Sequence, residues 1–291
     1  MVRTEQSIWT KPTIRAALSD YGYESARGEH IPERAGEIPA RNIEADKHIE
    51  LNHKQITLEN YRSFVGSVAY LASSTRPDIS HAVNMLQRDQ AEPTETSLAR
   101  ARQLLRYLRE HPDRRLRYGK PSTEFDKKHG PLNFYAFSDS DWAGDERDAR
   151  STSGYLLILA GGPIIWSCQK QSTVSLSSTE AEYTAASEAA RVIIATRAFI
   201  DQLSKPQPRA TSLYLDNSAS IRMASESGGT ARRRHINIKH HWIREQVAGG
   251  HIELVWVETA KQIADIFTKA LPRPAFERHS ALVLHDPPNK Q

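Results

Sequence analysis

A single cysteine, Cys168, stands among 291 residues. That excludes an internal disulfide and a zinc site built on cysteines, and it fits a reducing compartment. Long apolar runs are missing as well. The longest aliphatic stretch, residues 156–160, is five residues, whereas a membrane helix needs about 20. The opening residues, MVRTEQSIWTKP, lack the apolar core of a secretory signal. These absences lead us to expect an intracellular chain, cytoplasmic or nuclear, with no membrane as a partner.

What is present is enough for a folded protein. Hydrophobic residues make up 38% and charged ones 25%, so a chain of this length can bury the core of one large or two medium domains. The formal charge is only +4, but it is unevenly spread. Residues 97–120 hold eight Lys or Arg against Glu110 and Asp113, more net positive charge than the whole chain carries. A second basic cluster, ARRRHINIKHHWIRE from Ala231, adds five basic residues and three histidines. Concentrated positive charge near local acid clusters suits a protein that grips a polyanion and does metal chemistry on it.

Along the chain, residues 1–56 are polar and punctuated by proline, and they read as a poorly structured segment with one short helix near residues 14–21. Residues 57–120 carry helical spacing. In the last of these helices Leu98, Ala101, Leu105 and Leu108 form an apolar stripe, while Arg102, Arg106 and Arg109 recur on another side. Such a basic face is either solvated or a contact for nucleic-acid phosphate. Residues 121–131 read as a linker and residues 276–291 as a tail. Between them, residues 132–275 alternate strand and helix. Strands are expected at 132–138, 155–159, 164–168, 212–215 and 252–257, with a long helix at 178–203 and a last one at 261–270. Hairpin strands followed by strand–helix alternation imply a mixed sheet with helices on its faces.

Acids stand at the ends of these elements. FSDSDWAGD places Asp139, Asp141 and Asp145 just after the first strand, and LYLDNSAS places Asp216 after the fourth. Ligands in open α/β sheets sit beyond the carboxyl ends of strands, although an Asp before a helix is also an ordinary N-cap. The helix SSTEAEYTAASEAARVIIATRAF offers two glutamates. Glu182 shares its face with Ala185, Ala186, Ala189 and Ile193, a surface able to press against a sheet. Glu180 has polar neighbours and reads as the first-turn acid that complements the helix dipole. An unpaired carboxylate on the sheet side is costly, and a cation would remove that cost, which points to Glu182. Asp265 shares its face with Gln262, Thr268 and Lys269, and so leans over a groove or is solvated. Carboxylates without His or Cys partners suit Mg²⁺ or Mn²⁺. Two such ions about 3.5–4 Å apart activate a water and stabilise the leaving oxygen in phosphodiester cleavage.

The stretches YRSFVGSVAYLASSTRPDISHAVNMLQR, LLRYLRE, FSDSDWAGDERDARSTSGYLLIL, SLSSTEAEYTAASEAA, LYLDNSASI, KHHWIREQV and QIADIFTKALP follow one another over residues 57–275. Together they resemble the Pol polyprotein of copia-type LTR retrotransposons, where the C-terminal end of the reverse transcriptase meets the RNase H domain. QSIWTKPTIRAALSDYGYESAR resembles the segment just upstream. The resemblance implies an RNase H-like fold: a mixed five-stranded sheet flanked by helices, preceded by a small helical segment from the end of a reverse transcriptase. It implies an Asp-Glu-Asp-Asp site for two Mg²⁺, with Mn²⁺ able to substitute, on Asp139, Glu182, Asp216 and Asp265. Register favours Asp139 over Asp141, which reads as a supporting acid or a turn residue, and Asp145 reads as solvated loop. The implied activity is endonucleolytic cleavage of the RNA strand of an RNA–DNA hybrid, leaving 5′-phosphate and 3′-hydroxyl ends. Arg102, Arg106, Arg109, Arg232, Arg233, Arg234, His235, Lys239 and His240 are expected to hold nucleic acid, and the rest of the reverse transcriptase is a further expected partner.

Two departures qualify the match. No YxDD motif is present, so polymerisation is not expected of this chain. The loop Glu258-Thr259-Ala260-Lys261 lacks the histidine that many RNases H carry there, leaving His235, His240 or His241 to substitute or simply to line a basic surface helix. The alternatives are a catalytically silent nucleic-acid-binding remnant and an integrase-type nuclease. The latter expects an Asp-Asp-Glu order that this chain does not have.

Overall fold

A computed structural model describes residues 6–34, 56–119, 123–129, 134–145, 147–203, 205, 207–225 and 237–286. The chain forms two compact units. One joins the residues up to Arg117 with those from Ala270 onward, and the other is Tyr118–Lys269.

The first unit is helical: α1 Gln6–Asp20, α2 Tyr61–Ser74, α3 Ser80–Arg88 and α4 Glu95–Glu110. Thr94 starts α4 with a reciprocal cap, its hydroxyl accepting from Ser97 N while Ser97 Oγ accepts from Thr94 N. The apolar stripe of α4 is buried as expected, with Leu98, Ala101, Leu105 and Leu108 at most 3% exposed. At the centre lies a polar network. Arg76 and Asp78 form a fully buried ion pair at 2.8 Å, and the Tyr107 hydroxyl donates to Asp78. Arg76 Nη1 donates to the His111 carbonyl, and Arg114 Nη1 donates to Ser280 Oγ at 3.0 Å. Burial opposes the charge on Asp78, but Arg76 outweighs it and holds the carboxyl below its usual range.

Two sequence expectations change in this unit. Residues 6–34 are not simply loop. Beyond α1, residues 23–31 lie along α4, where Glu29 N donates to the Arg106 carbonyl, Gln103 Nε2 to the Ile31 carbonyl and Arg109 Nε to the Glu24 carbonyl. Residues 276–286 are not a tail. The helix Arg273–Val283 buries Phe276 and Val283, sets Phe276 edge-on to Tyr107, and is followed by a bridge between Arg115 and His285. Each pairing joins residues far apart in sequence, beyond the reach of local periodicity.

The second unit holds the sheet: β1 Phe134–Asp141, β2 Thr152–Leu159, β3 Gly162–Lys170, β4 Thr211–Leu215 and β5 Ile252–Trp256. The order is β3-β2-β1-β4-β5, with β2 antiparallel to both neighbours and β1, β4 and β5 mutually parallel. This is the mixed five-stranded sheet of the expected RNase H-like fold. Ala160 and Gly161, both at positive φ, make the two-residue turn that joins β2 to β3. On one face, Ala136, Leu157, Leu213 and Leu215 pack against Ala186, Ala189 and Ile193 of the long helix α6, Ser178–Gln202. Two shorter helices, α7 Ser218–Ser225 and α8 Asn237–Ala248, complete that layer. On the other face, Phe125 meets Phe137 and Tyr214 edge-on. Phe125 belongs to a helix, α5 Glu124–His129, in the stretch expected as linker. Asp126 anchors it by accepting from the Tyr135 hydroxyl at 2.6 Å. The remaining α-helix among the described residues, Arg273–Val283, is α9.

The expected helix 261–270 is replaced by two 3₁₀ turns, Thr259–Lys261 and Ile263–Phe267. Gln262 breaks the helix between them in an extended conformation, its Nε2 donating to the Ser138 carbonyl and its Oε1 accepting from Ala264 N. The second turn lies against β2 at Gly154, the residue paired with Asp139. A Cβ on Gly154 would sit 2.7 Å from Phe267 Cβ and 2.7 Å from Thr268 Cγ2. Gly154→Ala should therefore destabilise the protein by roughly 1–3 kcal/mol and loosen the turn. An unchanged thermal midpoint would contradict this packing.

Candidate metal centre

The parallel pairing of β1 and β4 sets Phe137 beside Tyr214, so continuing two residues brings Asp139 level with Asp216 at the carboxyl ends of both strands. Helix α6 starts beside them. Ser177 caps it by accepting from Glu180 N, and the half-buried Glu180 accepts from Leu176 N at 2.8 Å, a first-turn acid as expected. Two residues further on, on the opposite side of the helix, Glu182 faces inward, as the helical-face argument required, and is 6% exposed. One carboxylate oxygen from each of Asp139, Glu182 and Asp216 lies within 4.8 Å of the other two.

Each acid is held in place. Glu182 Oε1 accepts from Ser140 N at 3.1 Å, while Oε2 is buried without a hydrogen-bond partner. Asp139 accepts from the Thr268 hydroxyl, and Asp216 Oδ2 accepts from Thr259 Oγ1 at 2.9 Å. Asp265, on the second 3₁₀ turn, is 5% exposed, which removes the solvated alternative. It lies 3.1 Å from Lys269 Nζ, which also stands 3.9 Å from Asp139. Burial, then Asp139 and Asp216, push the Glu182 carboxyl up to about 10. Burial and Asp139 push Asp265 up to about 8, and the same two causes raise Asp216. Acids crowded enough to hold their protons near neutrality are short of positive charge. An all-oxygen donor set with an orphaned carboxylate oxygen fits a hard divalent cation, and among the described residues no Cys or His belongs to the group.

Sequence reasoning named Gln262, Thr268 and Lys269 only as neighbours of Asp265, and it missed Thr259. A hydroxyl one residue into a loop scanned for histidine gave no local signal. Asp145 departs most from expectation. It is 4% exposed, with Lys170 Nζ at 2.7 Å and Arg147 also bonded to it. Burial alone would raise its carboxyl, but these partners hold it well below the usual range.

The residues expected to bind nucleic acid are less united. Arg102 and Arg109 are half-buried and Arg106 is buried, because residues 23–31 cover part of α4. The three do not make one open basic face. Arg232, Arg233, Arg234 and His235 lie outside the described residues, and of Lys239 and His240 only the backbone, within α8, is described.

Comparison with known proteins bears on what this centre belongs to. The chain is 39% identical over 223 residues to the retrovirus-related Pol polyprotein from transposon RE1 of Arabidopsis thaliana. It is 35% identical over 283 residues to that from transposon TNT 1-94 of Nicotiana tabacum. The chain belongs with the retrovirus-related Pol polyproteins of transposons. These matches cover 77% and 97% of the chain but 15% and 20% of the relatives, so it corresponds to a small part of a Pol polyprotein. Among solved structures, LC11-RNase H1 in complex with RNA/DNA hybrid matches 47% of this chain and 94% of its own, at 14% identity and a TM-score of 0.35. No family model matches. Among the described residues, no helix of this Pol segment is long and apolar enough to cross a membrane.

Proposed function

We infer that this Pol segment is a ribonuclease H that cuts the RNA strand of RNA–DNA hybrids with the help of divalent cations. The observation that carries the reading is the convergence of Asp139, Glu182 and Asp216 within 4.8 Å, with Asp265 joined to Asp139 through Lys269. Two Mg²⁺, or Mn²⁺ in their place, held by these four acids would supply water activation and neutralise the leaving oxygen. The chain's own groups prepare the site. Ser140 N fixes the direction of Glu182, Thr268 and Lys269 steady Asp139, and Thr259 aims Asp216. Choice of RNA over DNA would come from contacts to the 2′-hydroxyl and to the shape of the hybrid. The exposed parts of Arg102 and Arg109, with the basic residues 232–240, are proposed to hold phosphate.

The test is cleavage of a labelled hybrid by the purified protein, with Mg²⁺ and with EDTA. We expect metal-dependent cutting of the RNA strand alone, and Asp216→Asn should remove it while leaving hybrid binding in place. Activity retained in that variant would refute the assignment. Binding without cleavage by the unaltered protein would favour the catalytically silent remnant.

A further inference from the structure

The β2–β3 hairpin and the second half of α6 form an open groove of about 610 Å³. Leu159, Ile164 and Ile165 supply its hairpin side, and Val192, Phe199 and Leu203 line it from the helix side. Phe199 and Leu203 are 61% and 60% exposed, so two large apolar side chains meet water where α6 ends. Single exposed apolar residues are ordinary, but a continuous apolar groove is a surface that another chain covers.

The sequence of α6 indicates which chain. Arg191 and Phe199 stand four residues before and after Ala195, and Glu188 and Gln202 stand seven before and after it. At 3.6 residues per turn these five share one side of the helix, and all but the half-buried Glu188 are exposed. A two-fold axis through Ala195, perpendicular to the helix, maps this stripe onto itself with the two helices antiparallel. Arg191 then meets the partner's Phe199, and Glu188 meets the partner's Gln202. A guanidinium over an aromatic ring is attractive, and an amide donates to a carboxylate. Like charges are kept apart, because each Arg191 lies about two turns along the axis from its own copy. Parallel helices would instead set Arg191 beside the partner's Arg191. A two-fold contact requires a patch that complements itself, and this one does.

We propose that the groove is the contact between two copies of this segment, paired antiparallel through α6 about Ala195, with each Phe199 entering the partner's groove. A contact of this length is at the small end of interface sizes, so association in the micromolar range is expected. None of the metal-centre acids takes part, so the proposal stands apart from the ribonuclease reading.

The experiment is sedimentation equilibrium of the full chain from about 1 to about 100 μM, with cysteine cross-linking as a second arm. We expect a reversible monomer–dimer equilibrium in the unaltered protein. Phe199→Lys sets a cation against the partner's Arg191 and should weaken the dimer at least tenfold, and adding Arg191→Glu should restore it. In a Cys168→Ser background, Ala195→Cys should form an intermolecular disulfide under mild oxidation. Asp201→Cys, exposed on another side of α6, should not. A chain that stays monomeric across this range would overturn the proposal. So would a dimer that survives Phe199→Lys, or one that cross-links equally at both positions. Thermal unfolding shows that each variant is folded, and the cross-linking arm decides if Phe199→Lys is not.

Discussion

Glu182→Gln should abolish Mg²⁺-dependent cleavage of a hybrid and at the same time raise the thermal midpoint of the metal-free protein at pH 8. The two effects have one origin. Glu182 is buried beside Asp139 and Asp216, and its carboxyl is pushed from its ordinary carboxylate range up to about 10. The folded protein therefore keeps this proton through a range in which the unfolded chain has released it. Stability is greatest below the lower value and declines as pH climbs through the window toward about 10. At pH 8 the metal-free protein carries most of that cost. An amide carries no charge to desolvate and can donate toward Asp139, so the variant should gain roughly 1–3 kcal/mol there and little at pH 4. Divalent cation should stabilise the unaltered protein at pH 8 and do much less for the variant. Cleavage should fall by more than about 100-fold, beyond what outer partners of metal ligands usually cost. A variant that is less stable at pH 8 would make Glu182 a structural residue.

The second large effect lies in the helical unit. Arg76→Met should cost roughly 3–5 kcal/mol, because it leaves the Asp78 carboxylate buried without its ion-pair partner. The Tyr107 hydroxyl still donates to Asp78, but a neutral donor does not replace a guanidinium that binds both carboxylate oxygens. Replacing both partners, as Arg76→Met with Asp78→Leu, should cost less than the single change. Urea unfolding followed by hydrogen exchange resolves which amides are affected. Loss of protection confined to the helical unit, with Mn²⁺ binding intact, is the expected pattern. A loss below about 1 kcal/mol would show that the network adds little.

Much of the centre was legible in the sequence, for reasons that are local. Asp139 and Asp216 each close a strand, and the parallel pairing needed to bring them level follows from the strand–helix–strand order. Glu182 could be told from Glu180 because four side chains on its face are small or apolar, a fact contained within one helix. Asp265 could not be decided this way. Its apparent face belonged to a regular helix, whereas the residue sits on a 3₁₀ turn created by Gln262 bonding to Ser138, 124 residues away. Asp145 and Arg106 show the same limit. Periodicity and composition mark which residues are polar, but not which of them another segment covers. Lys170 does this for Asp145, and residues 23–31 do it for part of α4.

The helical unit is discontinuous in the chain, and this bears on its synthesis. Arg114 finds its partner in Ser280, 166 residues later, and α9 leaves the ribosome only after every strand of the sheet. At ordinary elongation rates the earlier helices wait roughly 10–30 s for it. The whole five-stranded sheet is translated within that interval. The helical unit is thus begun before the sheet and finished after it, and a chain cut before α9 would keep every strand while leaving Tyr107 without the ring of Phe276.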